Sequence, residues 1–132
     1  MKVLVTGHGG FASGMAAASR MIVGDQELID WLPFEEGTNL SDYQAQIAAS
    51  IEAHGAQGLL ILTDFKGGTP FNVSMLLSQG HPQVAVLAGT NLAMILEAID
   101  QAPTASSVDD LAVHLVVIGR QGLLRGILQA RD

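Results

Sequence analysis

KVLVTGHGGFASG, residues 2–14, is the segment that decides the fold of this chain. Residues 2–6 have the β-branched pattern of a short strand, and a helical pattern begins at Phe11. Between them His8 lies in a run of glycines. A glycine loop between a strand and a helix exposes backbone N–H groups and the positive end of the helix dipole, which suits a phosphate. We therefore expect an incoming phosphate to meet His8.

The same order of strand, glycine turn and helix start occurs twice more. The apolar run 58–63 ends at Asp64, and two glycines then lead to Thr69 and Pro70, which favour a helix N-cap and a first helical turn. Residues 89–91, Gly-Thr-Asn, follow the next apolar run in the same way. Three such units in one short chain predict a parallel sheet with helices on both faces.

The spacing predicts a doubly wound α/β domain with the flavodoxin-like strand order 2-1-3-4. The expected strands are residues 2–6, 28–32, 58–63 and 84–87, and the expected helices are 11–23, 41–54, 70–79, 92–99 and 107–119. Ser41 and Ser107 are the expected caps of two of these helices. The apolar tail 122–128 follows the last helix and must be buried somewhere.

In that strand order, topology alone brings His8 and Asp64 together. Strands 1 and 3 are neighbours, so the residues that follow them share the crevice at the carboxyl edge of the sheet. A carboxylate that accepts a proton from one ring nitrogen orients the imidazole and leaves the other nitrogen free to attack an electrophile. We predict His8 and Asp64 as catalytic residues, with Gly9, Gly10 and Thr69 binding phosphate.

Composition restricts the classes of function. The 132 residues show no composition break and predict a single domain, 1–132. A net charge of -7 disfavours nucleic-acid binding, and the absence of cysteine excludes disulfides and thiolate metal sites. No charged and apolar leader and no apolar run approaching membrane-spanning length is present, so we expect a cytoplasmic protein. We predict no metal site.

At these residues the chain resembles the IIA components of the mannose-type family of phosphoenolpyruvate-dependent sugar phosphotransferase systems. The resemblance covers essentially the whole chain. It is carried by TGHGGFASG at 6–14, LTD at 62–64, GGTPFN at 67–72 and GTNL at 89–92. It implies a transferase in which a phosphohistidine at His8 carries the phosphoryl group, without a cofactor.

The resemblance also implies partners and residue roles. His8 accepts the phosphoryl group from phospho-HPr and passes it to a IIB component, which serves the membrane components IIC and IID in sugar uptake. Asp64 holds the ring so that Nε2 is phosphorylated, and Thr69 contacts the phosphoryl group. The family pattern further implies a homodimer in which the tail 122–128 crosses to the partner's sheet as a strand. Packing of that tail on its own subunit is the alternative.

The wording of the first two motifs is most similar to the branch of the family that handles N-acetylgalactosamine or galactosamine. Sugar specificity belongs to the membrane components, because the phosphate-carrying residue of a IIA domain does not touch the sugar. The sequence offers no pocket from which a sugar could be identified.

Three other functions remain open at this stage. Residues 7–12 also satisfy the G-x-G-x-x-G/A fingerprint of dinucleotide-binding oxidoreductases, with Asp30 about 20 residues further on. The imidazole between the glycines and the second glycine loop argue against that function. The phosphocarrier of dihydroxyacetone kinases resembles the expected fold and also has a histidine after strand 1, although the sequence expected for its loop differs from residues 7–10 here. A regulatory binding module that is never phosphorylated is the third alternative.

Overall fold

A computed structural model describes residues 1–129 of the chain, and the last three residues of the predicted domain, 130–132, lie outside the described residues. None of the helices in the described part is long and apolar enough to cross a membrane. In chain order the elements are β1 Lys2–His8, α1 Phe11–Val23, β2 Ile29–Phe34, α2 Leu40–His54, β3 Leu59–Thr63, α3 Thr69–Leu77, β4 Val84–Leu87, α4 Leu92–Gln101 and α5 Val108–Gln121.

The four strands form one parallel sheet in the order β2-β1-β3-β4, which confirms the predicted α/β fold and strand order. β1 pairs with β2 on one side and with β3 on the other, so the carboxyl ends of β1 and β3 lie side by side. This pairing places the residues that follow the two strands at one edge of the sheet.

Each face of the sheet has its own hydrophobic core. Val3 and Val5 point to the face covered by α1, α4 and α5, whereas Leu4 points to the face covered by α2 and α3. Successive side chains of a strand alternate between the two faces. β3 is buried along its whole length, as its unbroken apolar run predicts. Because Thr6 and His8 follow Leu4 at intervals of two, they share the α2/α3 face.

Strand β2 is longer than predicted. The sequence predicts its end at residue 32, before Pro33, but the strand continues to Phe34. Proline is compatible with a strand at the edge of a sheet, where its missing N–H removes no ladder hydrogen bond. β2 is such an edge strand. The extension places Phe34 opposite His8 in the register of β1 and β2.

Two of the three predicted helix caps are wrong and one is confirmed. Helix α2 is capped by Asn39 rather than Ser41, because the Asn39 side chain accepts a hydrogen bond from the Asp42 N–H at 3.2 Å. Gly68, not Thr69, is the N-cap of α3, and Thr69 is its first residue. The side chain of Ser107 caps α5 as predicted. The side chain of Asn91 caps α4, which the sequence analysis did not predict.

Helix α5 continues beyond the predicted end at residue 119 to Gln121, and the apolar tail follows it. Residues 123–129 have no regular secondary structure in the single chain. The large side chains of the tail are exposed at 71 to 99%. The tail therefore does not bury itself on its own subunit in this structure. Its apolar residues are Leu123, Leu124, Ile127 and Leu128.

Candidate functional site

The carboxyl edge of the sheet brings His8 and Asp64 into direct contact, as predicted. His8 is the last residue of β1, and Asp64 follows the last residue of β3. One carboxylate oxygen of Asp64, Oδ2, lies 2.8 Å from the ring Nδ1 of His8 and accepts a hydrogen bond from the backbone N–H of His8, also at 2.8 Å. The two contacts to one oxygen hold the backbone of His8 and one nitrogen of its ring.

This contact determines the tautomer of a neutral His8. An ionised carboxylate is an acceptor only, so the ring hydrogen lies on Nδ1 and the lone pair lies on Nε2. The side chain of His8 is 46% exposed whereas that of Asp64 is 14% exposed. The pair thus has a shielded carboxylate beneath a ring that a partner can reach.

Nε2 of His8 lies beside the start of helix α3. A methyl group built on Gly68 would come within 2.6 Å of His8 Cε1 and 3.2 Å of Nε2. Only a glycine allows the loop to approach the imidazole this closely. Thr69 is the next residue and begins α3, where the first N–H groups have no intrahelical partner. The free ring nitrogen therefore points to a place where backbone donors and the helix dipole favour an anion.

The absence of a side chain at Gly7 leaves space for the side chains of Phe11 and Asp64. A methyl group on Gly7 would lie 2.5 Å from the ring of Phe11 and 2.9 Å from Cγ of Asp64. A side chain at this position would displace the Asp64 carboxylate. Gly7 and Gly68 are site residues that the sequence analysis did not single out. Their signal is present in the two glycine loops, but which glycine faces which side chain depends on the packing.

The two glycines predicted to bind phosphate have different surroundings. The Gly9 N–H donates to the carbonyl of Phe34 at 2.9 Å, and Gly9 has a positive φ of 54° that favours glycine. That N–H is therefore engaged in holding the loop against β2. Gly10 is the N-cap residue of α1. Within residues 1–129 the Gly10 N–H has no hydrogen-bond partner, so it is the available donor of the two.

Aromatic side chains lie on the α2/α3 face next to His8. The ring of Phe34 is 6.0 Å from the imidazole, centroid to centroid, in an edge-on arrangement. Tyr43 of α2 packs against Phe34 at 4.6 Å and shares a 2.6 Å hydrogen bond with the hydroxyl of Thr6. Burial, together with the charge of Asp64, raises the pKa of Tyr43 to about 12, against the lowering effect of the Thr6 hydrogen bond.

Asp30, the acidic residue predicted for the dinucleotide fingerprint, does not lie at this edge. Asp30 lies near the amino end of β2, where it pairs with Lys2 at 3.3 Å. The glycine loop lies at the carboxyl end of β1, so Asp30 and the loop are at opposite ends of the sheet. A ribose held at the loop is out of reach of this carboxylate, which removes the main support for the oxidoreductase alternative.

The sequence of this chain matches a known protein family. The family described as "PTS system fructose IIA component", EIIA-man, matches residues 2–116. The chain belongs to this family. It is thus a IIA component of the mannose type of sugar phosphotransferase system, in agreement with the resemblance of its motifs.

Two characterised relatives illustrate the relationship. The mannose-specific EIIAB component of Escherichia coli K12 is 30% identical over 125 residues, which are 92% of this chain but 38% of that protein. The chain thus spans little more than a third of the curated relatives of this kind. The sorbose-specific EIIA component of Klebsiella pneumoniae is 32% identical over 114 residues, 86% of this chain and 83% of that protein.

Solved structures extend the similarity to the fold. The mannose/sorbose-specific IIA subunit from Enterococcus faecalis superposes with a TM-score of 0.87 at 35% identity, covering 99% of this chain and 98% of that one. The phosphotransferase system component EIIA from Streptococcus agalactiae gives the same TM-score at 31% identity, covering 94% and 95%. The IIA fold accounts for nearly the whole chain.

Proposed function

We propose that this IIA component is a cytoplasmic phosphocarrier that accepts a phosphoryl group on Nε2 of His8 from phospho-HPr and delivers it to a IIB component. The observation that carries the proposal is the direction of the imidazole. Asp64 occupies Nδ1 at 2.8 Å, and the unoccupied Nε2 lies beside Gly68 at the start of α3. A nucleophile and an anion-stabilising helix end thus meet at one point.

The transfer is a displacement at phosphorus. The Nε2 lone pair of neutral His8 attacks the phosphorus in line, a new N–P bond forms, and the bond to the donor nitrogen of HPr breaks with its electron pair returning to that nitrogen. The imidazole of His8 keeps its Nδ1 hydrogen and becomes positively charged. Asp64 stabilises this charge through the same hydrogen bond. Reversal of the step toward an acceptor on IIB completes the transfer.

The phosphoryl oxygens need donors in the same place. We propose as donors the Thr69 hydroxyl, the first N–H groups of α3 and the Gly10 N–H, supported by their positions at the starts of α3 and α1. Gly9 contributes by shaping the loop, since its own N–H is bonded to Phe34. Such fixed donors stabilise the charge of the transferring group without a metal ion.

The test is phosphorylation with phosphoenolpyruvate, enzyme I and HPr, followed by intact mass and acid stability of the adduct. Wild type is expected to gain one acid-labile phosphoryl group, and His8→Ala none. His114→Ala is the matched control, because His114 also pairs with a carboxylate, Glu97, at 2.8 Å. Labelling of the His8→Ala protein, or no labelling of wild type, would overturn the proposal.

The expected homodimer is also a proposal. β4 is an edge strand that is only partly buried, and a groove of about 620 Å³ runs beside it, lined by Phe71, Val86, Leu87 and Leu123 among others. The exposed tail 122–128 offers the apolar side chains that such an edge can accept. We propose that the tail of a second copy occupies this edge as a strand.

Light scattering of the purified chain tests the dimer. The wild type is expected to have twice the mass of one chain, and the double variant Leu124→Asp/Leu128→Asp the mass of a single chain, because charged side chains resist burial. Met21→Asp is the control, since Met21 is an exposed apolar residue of α1, outside the tail. A monomeric wild type would contradict this proposal without touching the role of His8.

For the sugar, we propose N-acetylgalactosamine or galactosamine, supported by the wording of the motifs at 6–14 and 62–71. The named relatives above act in mannose and sorbose systems. The test supplies phosphorylated IIA protein to its cognate IIB component and membranes and compares these amino sugars with mannose, sorbose and fructose as acceptors. Preferential phosphorylation of one of the latter three would overturn the assignment.

A further inference from the structure

The aromatic side chains beside His8 are not used by the transfer step described above. Phe34 is the last residue of β2 and half-buried, and its ring stands at 75° to the imidazole with centroids 6.0 Å apart. This separation and angle lie within the range of favourable edge-to-face aromatic pairs. The ring is thus a third neighbour of the imidazole, besides Asp64 and Gly68.

Phe34 is itself held in place from two directions. Its backbone carbonyl accepts the Gly9 N–H at 2.9 Å, which ties it to the residue after His8. Its ring packs on Tyr43 at 4.6 Å, and Tyr43 is completely buried and hydrogen-bonded to Thr6. Thr6 lies two residues before His8 on the same face of β1. Phe34 is thus linked through Tyr43 and Thr6 to β1, the strand that carries His8.

We propose that Phe34 is a positioning residue for His8, which limits the rotation of the imidazole so that Nδ1 stays on Asp64 and Nε2 stays at the start of α3. A single hydrogen bond at Nδ1 leaves the ring free to tilt about that contact. Gly68 is too small to restrain it on its own, and the half-exposed ring has solvent on its remaining side. The Phe34 ring supplies the missing restraint. The inference rests on the proposed function where phosphotransfer is concerned.

The test compares Phe34→Leu with Phe34→Tyr. Leucine keeps the apolar contact but loses the flat ring, so we expect kcat of phosphorylation to fall by about two- to tenfold with the KM for phospho-HPr unchanged. Tyrosine keeps the ring, and the rate is expected to return to within about twofold of wild type. In the unphosphorylated protein, imidazole ¹⁵N shifts should show a smaller Nδ1–H population for Phe34→Leu.

Trp31→Leu is the matched control, because Trp31 is an aromatic residue of the same strand that packs on the opposite core. It is expected to leave the tautomer population and kcat unchanged. If Phe34→Leu does not fold, Phe34→Met, which also lacks a ring, replaces it in the same measurements.

Three outcomes overturn the inference. One is a wild-type tautomer population together with wild-type kcat in the folded Phe34→Leu protein. The second is a rise in KM alone, which would make Phe34 a donor-contact residue. The third is an equal loss in Trp31→Leu, which would reduce the effect to general stability. Failure of wild type to be phosphorylated would instead contradict the proposed function, and the ¹⁵N measurement would still decide the role of Phe34.

Discussion

Within residues 1–129, two histidine–carboxylate pairs have the same length. His8 Nδ1 lies 2.8 Å from Asp64, and His114 Nε2 lies 2.8 Å from Glu97. The two histidines are also almost equally exposed, at 46% and 45% of the side chain. Neither the contact with a carboxylate nor the exposure therefore distinguishes His8, the proposed phosphoryl acceptor, from His114.

The pairs differ in what surrounds the nitrogen that the carboxylate leaves free. His114 and Glu97 lie within α5 and α4, where backbone N–H groups are used inside the helices. At His8 the free Nε2 lies beside Gly68, at the start of α3. The two nitrogens differ in this way because the parallel sheet places strand ends and helix starts at one edge, where His8 lies.

The largest expected difference between the pairs comes from removing the charge of each carboxylate. Asp64→Asn is expected to slow phosphorylation of His8 by about 100-fold without removing the acceptor, because the amide stabilises the positively charged ring poorly and permits the wrong tautomer. Glu97→Gln should leave the rate unchanged. Initial rates of labelling by phospho-HPr measure both. Equal effects of the two substitutions would show that the location of Asp64 has no special importance.

A smaller effect is expected from filling the space beside Nε2. Gly68→Ala places a methyl group 2.6 Å from His8 Cε1, so the ring must move and the labelling rate is expected to fall by about tenfold or more. Gly14→Ala is the control, since Gly14 lies within α1 with nothing within 4 Å of the added methyl group.

In Gly14→Ala we expect an unchanged rate and a gain of about 0.5–1 kcal/mol in the free energy of unfolding, from the greater helix propensity of alanine. Denaturant titration measures this gain. A Gly68→Ala protein that labels as fast as wild type would mean that the imidazole tolerates displacement.

Tyr43→Phe is expected to have the smallest effect on the phosphorylation rate, together with a clear effect on stability. Tyr43 supports the His8 site and not the His114 pair. Its pKa is raised from 10.0 to about 12, so the folded state favours the neutral phenol. The associated stability is fully present below pH 10 and is lost as the pH rises toward 12, a loss of roughly 2–3 kcal/mol. Tyr43→Phe should lack this alkaline loss.

Tyr43 is the only tyrosine in the sequence, so phenolate absorbance follows its ionisation directly. The same titration of wild type in denaturant gives the ordinary value for comparison. A native-state midpoint near pH 10 would contradict the burial of this hydroxyl beside Thr6.

The sequence predicts the strand order because three of the four strands end in a glycine turn and a helix start, and because these local signals agree with one another. His8 and Asp64 follow as neighbours from strand order alone. Thr69 as an N-cap was wrong, because α3 includes Thr69 and its N-cap is Gly68, which lies against the imidazole of His8. Propensity describes a residue with its neighbours in sequence and carries no information about a contact with a ring 60 residues away.

The position of Phe34 beside His8 could not be predicted from the sequence either. Proline at position 33 argues for the end of a strand, and the strand continues because it lies at an edge, which is a property of the assembled sheet. Only the register of β2 on β1 places Phe34 opposite His8. The support from Tyr43 requires in addition the rotation of α2 about its axis, and a single sequence does not give that rotation.

Pro33 has a consequence for how many neighbours the sheet can bind. The Phe34 carbonyl points inward to Gly9, and adjacent residues of a strand present their backbone groups to opposite sides, so the nitrogen of Pro33 faces outward without a hydrogen. A strand approaching β2 meets a missing donor, whereas β4 offers a complete edge. Pairing at the β2 edge is therefore disfavoured at Pro33. If the proposed dimer forms through β4, we expect association to stop at two chains rather than to propagate into a fibre.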